Sequence, residues 1–338
     1  MVELPEFYVV SGATVKDVID DCSGEIFSAV ETAYRLHAAG ESINPDSYFL
    51  RFPEQPRNRI IALPAQLGGN VQRSGLKWIA SFPDNTAANL ARASAVQILN
   101  DPTTGYPVTC MEASLISATR TAASAALAAE ALSPSPLAGT LCMVGTGIIA
   151  RATFDWLKFR GWTFDKVKLF DINSTETERF AEWLRSHHGE RAEVEHSLGA
   201  AISDASLIVF ATTALEPYLD DPELCSHAPT ILHLSLRDIA ANVVLEGQNF
   251  VDDIDHCLKQ RTSVHLAEIE TGNRDFISGT LVDVLDKKCT IDPKKPRIFS
   301  PFGLGVLDIA IADFVLGEAI ARKRATAIPD FFSNSVRW

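Results

Sequence analysis

The chain has 338 residues, 46% apolar and 22% charged, with 43 acidic against 30 basic side chains and a net charge of −13. That length gives two domains as the prior and room for a sizeable core. The acidic surplus argues against nucleic acid or an anionic membrane surface as the main partner, while leaving open a local basic pocket for an anionic substrate. No stretch approaches the roughly 18 uninterrupted apolar residues of a membrane span. The opening MVELPEFYVV lacks the basic segment and apolar core of a signal peptide. The six cysteines (Cys22, Cys110, Cys142, Cys225, Cys257 and Cys289) are scattered without a CxxC pair, which reads as reduced thiols in a cytoplasmic protein.

The first predicted element is one helix. Val15, Val18, Ile19, Cys22, Ile26 and Val30 recur at three- and four-residue steps, Thr14 is placed to cap it and Gly40 to end it. Short apolar or alternating runs follow at 48-YFLRFP, 59-RIIALPA, 76-LKWIAS and 95-AVQIL, separated by Gly68-Gly69-Asn70 and 101-DPTTG, and predict an antiparallel sheet. Residues 111–132 are rich in strong helix formers and stop at Ser133-Pro134-Ser135-Pro136. Beyond that point the rhythm alternates. Strands are predicted at 140-TLCMV, 167-VKLF, 207-LIVFAT and 230-TILHLS, and helices at 148–160 and 175–188. That alternation implies an α/β unit with a parallel sheet covered on both faces. A short strand at 297-RIFSPF precedes a long helix from Val306, which could return to the first domain. The expected domains are 1–132, completed by 306–338, and 133–305.

The strand 140-TLCMV runs into Gly145-Thr146-Gly147-Ile148-Ile149-Ala150, which opens a helix. This is GxGxxA in the strand–turn–helix context of a Rossmann-type dinucleotide site. Gly145 permits the tight turn, Gly147 lets backbone approach a pyrophosphate, and Ala150 allows close helix–strand packing. Asp171 ends the next strand, where an acid accepts hydrogen bonds from a ribose diol and repels a 2′-phosphate; NAD is therefore expected over NADP, with Arg179 as the one nearby cation that keeps NADP open. A glycine turn with a capping acid is the plainer alternative. Thr212, in 211-ATTA, falls where a later strand passes the cofactor, and Ser235 ends the strand 230-TILHLS.

In the first domain, Arg51, Lys77, Arg92 and Arg120 sit among apolar or small residues. Charged groups are rarely buried without partners, and carboxylates of a bound substrate would satisfy them together. Internal ion pairs, or side chains reaching solvent, are the alternative for each. Asp238 lies just past a strand's C-terminal end, where ligands of open α/β sheets bind; it is either a proton acceptor or the N-cap of the helix at 240-AANVV. His233 reads as a packed strand residue rather than a base, and His187-His188 as a solvated helix end. No HExxH or other metal spacing occurs, so no metal is expected.

Taken together, 77-KWIASFPDN, 99-LNDPTTGYPVTCMEASLISATRTAASAALAA, 144-VGTGIIA and 303-GLGVLDIAIAD resemble the ornithine cyclodeaminase/mu-crystallin family over nearly the whole chain. The resemblance implies a split substrate-binding and dimerisation domain, a Rossmann domain, NAD as cofactor and a homodimer. By motif position it implies Lys77, Arg120 and Arg51 as carboxylate ligands, Lys77 and Asp238 as the catalytic pair, Asp171 at the ribose, and Ile148 and Ile149 at the pyrophosphate. Two departures from typical cyclodeaminases stand out: 235-SLRDIAAN replaces a glycine-rich GGDCPGK-type run, and Arg92 replaces a small hydroxyl residue. Both resemble the branch that supplies 2,3-diaminopropionate for siderophores and peptide antibiotics. That branch implies oxidative hydrolysis of N-(1-amino-1-carboxy-2-ethyl)-L-glutamate, whose three carboxylates suit an added cation. Ornithine or lysine cyclodeamination, ketimine reduction or alanine dehydrogenation, and non-catalytic NAD-dependent binding are the alternatives.

Overall fold

The computed structural model describes residues 4–332; parts of the opening segment and of the 306–338 segment lie outside the described residues. The chain forms two compact units, residues 1–120 with 304–338, and residues 121–303.

The first unit is built on an eight-stranded sheet. In spatial order its strands are Thr326–Ala327, Tyr8–Val10, Pro107–Glu112, Ala93–Asn100, Arg73–Ser81 and Arg59–Leu67, and both Ser42–Ile43 and Tyr48–Arg51 pair with the last of these. The four runs predicted as strands form the antiparallel part. The sheet is mixed rather than wholly antiparallel, because Tyr8–Val10 runs parallel to Pro107–Glu112. A three-residue strand beside a helix start leaves too little alternation to read. The helix Gly305–Ala321 packs on this sheet, and Gly305 lets it approach so closely that a side chain there would meet the Ala65 Cβ at 3.1 Å.

The single helix expected from Val15 to Gly40 is two, Gly12–Asp21 and Ser23–Ala38. Cys22 leaves helical geometry at φ −122° and ψ 35°, although Val18 and Ile26 continue the apolar stripe across the break. The cap is Ser11, whose hydroxyl accepts from the Thr14 N–H, and not Thr14, which is buried. Gly40 follows the second helix at φ +75°, a conformation that glycine adopts without steric cost.

The second unit carries an all-parallel eight-stranded sheet in the order Ala192–Val194, Thr163–Phe170, Leu137–Val144, Leu207–Phe210, Thr230–His233, Arg297–Phe299, Gln248–Val251 and Ile277–Thr280. Leu207–Phe210 and Thr230–His233 are buried throughout and Leu137–Val144 is buried from Thr140 onward, as sheets covered on both faces require. Strand order reverses between Leu137–Val144 and Leu207–Phe210, so ligands are expected at the C-terminal ends of these two strands.

Candidate active site

In the first unit, Lys77 sits on the sheet face that the helix Gly305–Ala321 covers. Its Nζ donates to Asp308 Oδ2 at 2.7 Å and to Ser117 Oγ at 3.1 Å. Arg120, on the helix Ser114–Leu132, approaches the other oxygen, with Nε 3.7 Å from Asp308 Oδ1. Lys77 and Asp308 are each only 1% exposed. Burial pulls the lysine ammonium down to about 8; Asp308 opposes that fall and Arg120 adds to it. Gln97, directly across from Lys77 in the sheet, is also buried, and its Oε1 has no hydrogen-bond partner among the described residues.

Arg92 stands apart from this trio. It precedes the strand Ala93–Asn100 and donates to the neutral Ser81 hydroxyl at 2.7 Å. Ser81 is four residues beyond Lys77 on the same strand face, about 13 Å along the strand. Burial lowers the Arg92 guanidinium, and no acid contributes to offset it. Arg51 is more remote from Lys77. Its strand pairs it with Arg59, which pairs with Ser81, so these residues form one row across the sheet. The Arg51 head group is exposed and lies 4.9 Å from the Phe49 ring. The structure thus joins Lys77 with Arg120, sets Arg51 on the row through Ser81 and brings the Arg92 side chain onto Ser81.

In the second unit, Gly145 ends the strand Leu137–Val144 with φ +87°, and a Cβ there would lie 2.6 Å from the Ala211 carbonyl oxygen. Only glycine fits. The helix Ile148–Phe159 begins at Gly147 with no side-chain cap, so the first backbone N–H groups at Ile148, Ile149 and Ala150 point outward without intrahelical acceptors. That terminus suits a pyrophosphate. Asp171 Oδ2 accepts from the Thr146 N–H at 2.9 Å and its hydroxyl at 3.0 Å, and Oδ1 accepts from the Asn173 N–H at 2.9 Å. The acid therefore braces the glycine turn and keeps acceptor capacity for a diol. Arg179, the cation considered for a 2′-phosphate, pairs with Glu176 on its own helix at 2.7 Å. The uncapped helix start, the open Gly147 and the acid beyond the second strand fit a dinucleotide.

Asp238 has no exposed surface, and all its acceptor positions are engaged. Thr212 Oγ1 donates to Oδ1, as does Tyr218 Oη at 2.8 Å. Ser235 Oγ donates to Oδ2, and His233 Nε2 lies 3.2 Å from the same oxygen. Burial would raise this carboxyl, but the His233 imidazole and the Ser235 and Thr212 hydroxyls outweigh it and hold the group at about 2. Burial, the Asp238 charge and the hydrogen bond to Asp238 push the Tyr218 phenol up, so it remains a donor. The turn that carries Asp238 passes through Leu236 at φ +77°, a left-handed conformation unusual for leucine, and is pinned where the Ser263 N–H donates to Leu236 O at 2.8 Å. Asp238 does not cap the following helix; Ala240 holds that position without a side-chain bond. Asn242, in place of the lysine of the GGDCPGK-type run, donates to the Asp220 carbonyl at 2.7 Å.

Sequence reading missed four participants. Asp308 was within reach, since an acid inside the apolar run VLDIAIAD demands a buried cation. His233 reads first as a packed strand residue, with a base as the lesser alternative. Tyr218 and Ser300 lie in loops whose residue types carry no signal of their own.

The sequence profile of the ornithine cyclodeaminase/mu-crystallin family matches residues 13–323, and the chain belongs to that family. It is 28% identical over 311 residues to the N-((2S)-2-amino-2-carboxyethyl)-L-glutamate dehydrogenase of Staphylococcus aureus, covering 89% of this chain and 91% of that one. The fold is shared with the Thermococcus litoralis delta(1)-pyrroline-2-carboxylate reductase solved with NADH and L-proline (TM-score 0.87, 22% identity, 95% of this chain and 100% of that one). It is also shared with an archaeal alanine dehydrogenase dimer solved with NAD (TM-score 0.84, 24% identity, 97% of this chain and 100% of that one).

Proposed function

We propose that this family member is an NAD-dependent amino-acid dehydrogenase acting on a CH–NH donor, and that its substrate is N-(1-amino-1-carboxy-2-ethyl)-L-glutamate. The reaction consumes NAD and water and yields 2,3-diaminopropionate, 2-oxoglutarate, NADH and a proton. The observation that carries the substrate choice is Arg92, a largely buried guanidinium whose partner is a neutral hydroxyl. A buried cation lacking an acid is a site for an anion. A tricarboxylate amine supplies more carboxylates than ornithine or alanine can. The similarity to the S. aureus dehydrogenase supports the same choice.

Ile148, Ile149 and Ala150 backbone N–H groups would hold the pyrophosphate and Asp171 the adenosine ribose, with Thr212 and Ser235 flanking the nicotinamide end. Bound NAD supplies a two-electron oxidant for the glutamyl Cα–H. Lys77 and Arg120 hold one substrate carboxylate, trading part of their contact with Asp308 for it. Arg92 and Arg51 take the others. Asp238 receives the amine proton through the hydroxyls that wrap it, leaving a C=N bond that water opens to the two products. Orientation by these fixed cations supplies most of the rate.

The exposed face of the first sheet is apolar across neighbouring strands, with Tyr48, Ala62, Trp78 and Val96 in one row. A second copy of the chain is the occupant this face fits, in a homodimer. Absorbance at 340 nm tests the reaction. Net NADH formation with the glutamyl conjugate, and a rise of about 10- to 100-fold in its KM in Arg92→Ala, are expected. Proline formation from ornithine without net NADH, or turnover of alanine in preference to the conjugate, would replace this substrate assignment.

A further inference from the structure

We infer that the amine proton removed in the reaction comes to rest on His233, passed inward from Asp238, and that Ser300 holds the imidazole in the position that makes this transfer possible. The inference deepens the proposed function, since it rests on Asp238 as the first acceptor. His233 acts through Asp238 and does not itself touch the reacting atoms.

The ring geometry carries the argument. His233 Nε2 lies 3.2 Å from Asp238 Oδ2 and also 3.2 Å from the Asp238 backbone nitrogen. A bare Nε2 accepts from that N–H; a protonated Nε2 donates to the carboxylate instead. The ring therefore meets a partner in either state without moving. Ser300 Oγ, 3.1 Å from Nδ1, completes both states, because Nδ1 carries its hydrogen in each and the hydroxyl oxygen accepts it. The Phe210 ring stands edge-on to the imidazole at 86°, with centroids 6.1 Å apart.

Ser300 is itself fixed. Its N–H donates to Phe250 O at 2.9 Å, and its carbonyl lies 3.2 Å from the Cys257 thiol. Just beyond it, the buried Asp252 carboxylate accepts from the Phe302 N–H at 3.0 Å and the Gly303 N–H at 2.7 Å. Neither His233 nor Asp238 has surface exposed to water, so a proton arriving there cannot be taken up directly by solvent. The titratable groups nearest the pair are Tyr218, which stays protonated, Asp171 beyond Tyr218, and the Cys257 thiol on the Ser300 carbonyl with Asp252 behind it. The Thr212, Tyr218 and Ser235 hydroxyls all donate to the Asp238 carboxylate, so a proton placed on it competes with three donors, and the bare His233 Nε2 at 3.2 Å can take that proton over.

The balance is simple. The substrate N–H bond breaks as a hydroxyl that wraps Asp238 takes that proton and passes its own to a carboxylate oxygen, while the nitrogen electron pair closes the C=N bond; bound NAD would accept the Cα hydrogen with its electron pair. The O–H bond then breaks as Nε2–H forms. Water supplies both hydrogens that the amine gains as the carbinolamine collapses, and the reverse transfer adds the stored proton to give the departing ammonium; the one proton released overall is that lost by the substrate ammonium before oxidation.

Two measurements test this. In protein carrying 15N-labelled histidine, without substrate, the neutral His233 ring should show Nε2 bare and Nδ1 protonated, with acidification adding the second proton at Nε2; His233→Asn assigns the signal. A neutral ring protonated at Nε2 would overturn the inference. For activity, His233→Asn keeps a donor to Asp238 but cannot take a proton. Its kcat should fall about 100-fold and its pH profile should change shape, with KM and NAD affinity near normal. A wild-type kcat and pH profile in that variant would mean that His233 only packs. The spectroscopic arm needs no substrate, so it stands or falls separately from the choice of glutamyl conjugate.

Discussion

Lys77 and Asp308 meet at 2.7 Å across 231 residues of sequence, and neither side chain has more than 1% of its surface exposed. The lysine is held near 8, below its unfolded value of about 10.4. A lowered lysine means that between those two pH values the unfolded chain binds more protons than the folded one. The contribution of Lys77 to stability therefore rises with pH across this window, by about 1.4 kcal/mol per pH unit, and is flat below it. The double variant Lys77→Met/Asp308→Asn removes the titrating lysine together with the acid it pairs with. Urea unfolding at pH 7, 8, 9 and 10 should show the wild type gaining on the variant only above pH 8. A constant difference would mean the ammonium is not held low.

Gly145 and Gly147 should fail differently. A methyl at Gly145 meets the Ala211 carbonyl at 2.6 Å and must adopt φ +87°, whereas nothing lies within 4 Å of one at Gly147. Gly145→Ala should therefore lose about 1–3 kcal/mol of stability and bind NAD poorly. Gly147→Ala should unfold like the wild type yet also bind NAD at least about 10-fold more weakly, because its methyl occupies the pyrophosphate approach. Calorimetric unfolding and NAD titration of both variants read these outcomes. Normal NAD affinity in Gly147→Ala would move the pyrophosphate elsewhere.

What was legible in the sequence follows from what constrains it locally. The glycine turn at 145–150 and the buried strands at 207–210 and 230–233 needed no partner to be recognised, because φ above zero and unbroken apolar runs are properties of the chain itself. The break at Cys22 was invisible, since the apolar stripe runs through it unchanged. Lys77 and Arg120 stood out as cations in apolar surroundings, but the acid they share, Asp308, arrives from a helix 231 residues beyond Lys77 and 188 beyond Arg120. His233 was hidden for a related reason: a histidine inside TILHLS looks like packing until the turn at Leu236 folds Asp238 back onto it.

Asp171 should decide which dinucleotide is used. Its carboxylate braces Thr146, and in the proposed site it would also accept from the ribose diol. Asp171→Ser removes the charge that repels a 2′-phosphate and weakens the hydrogen bonds to a diol. The ratio of kcat/KM for NAD over NADP should fall by about 10- to 100-fold, as expected for hydrogen bonds to a charged group worth about 1.5–3 kcal/mol. An unchanged ratio would leave Asp171 with its bracing role alone.

The exposed row on the first sheet makes a different kind of prediction. Tyr48 is 71% exposed and Trp78 39%, on strands that pair both with Arg59–Leu67. Two aromatic side chains and Val96 held on one rigid, twisted face form an apolar patch of the kind that drives association. Trp78→Asp places a charge in its centre, where a copy of the same face would have to desolvate it twice in a two-fold dimer. Sedimentation of the wild type at micromolar concentration should give about twice the chain mass of 36.8 kDa, and the variant should sediment as a monomer. Lys77 and its partners point to the opposite face of the same strand, so the variant's unfolding in urea should keep the pH dependence expected of Lys77. A wild type that sediments at the single-chain mass would leave this face without its proposed occupant.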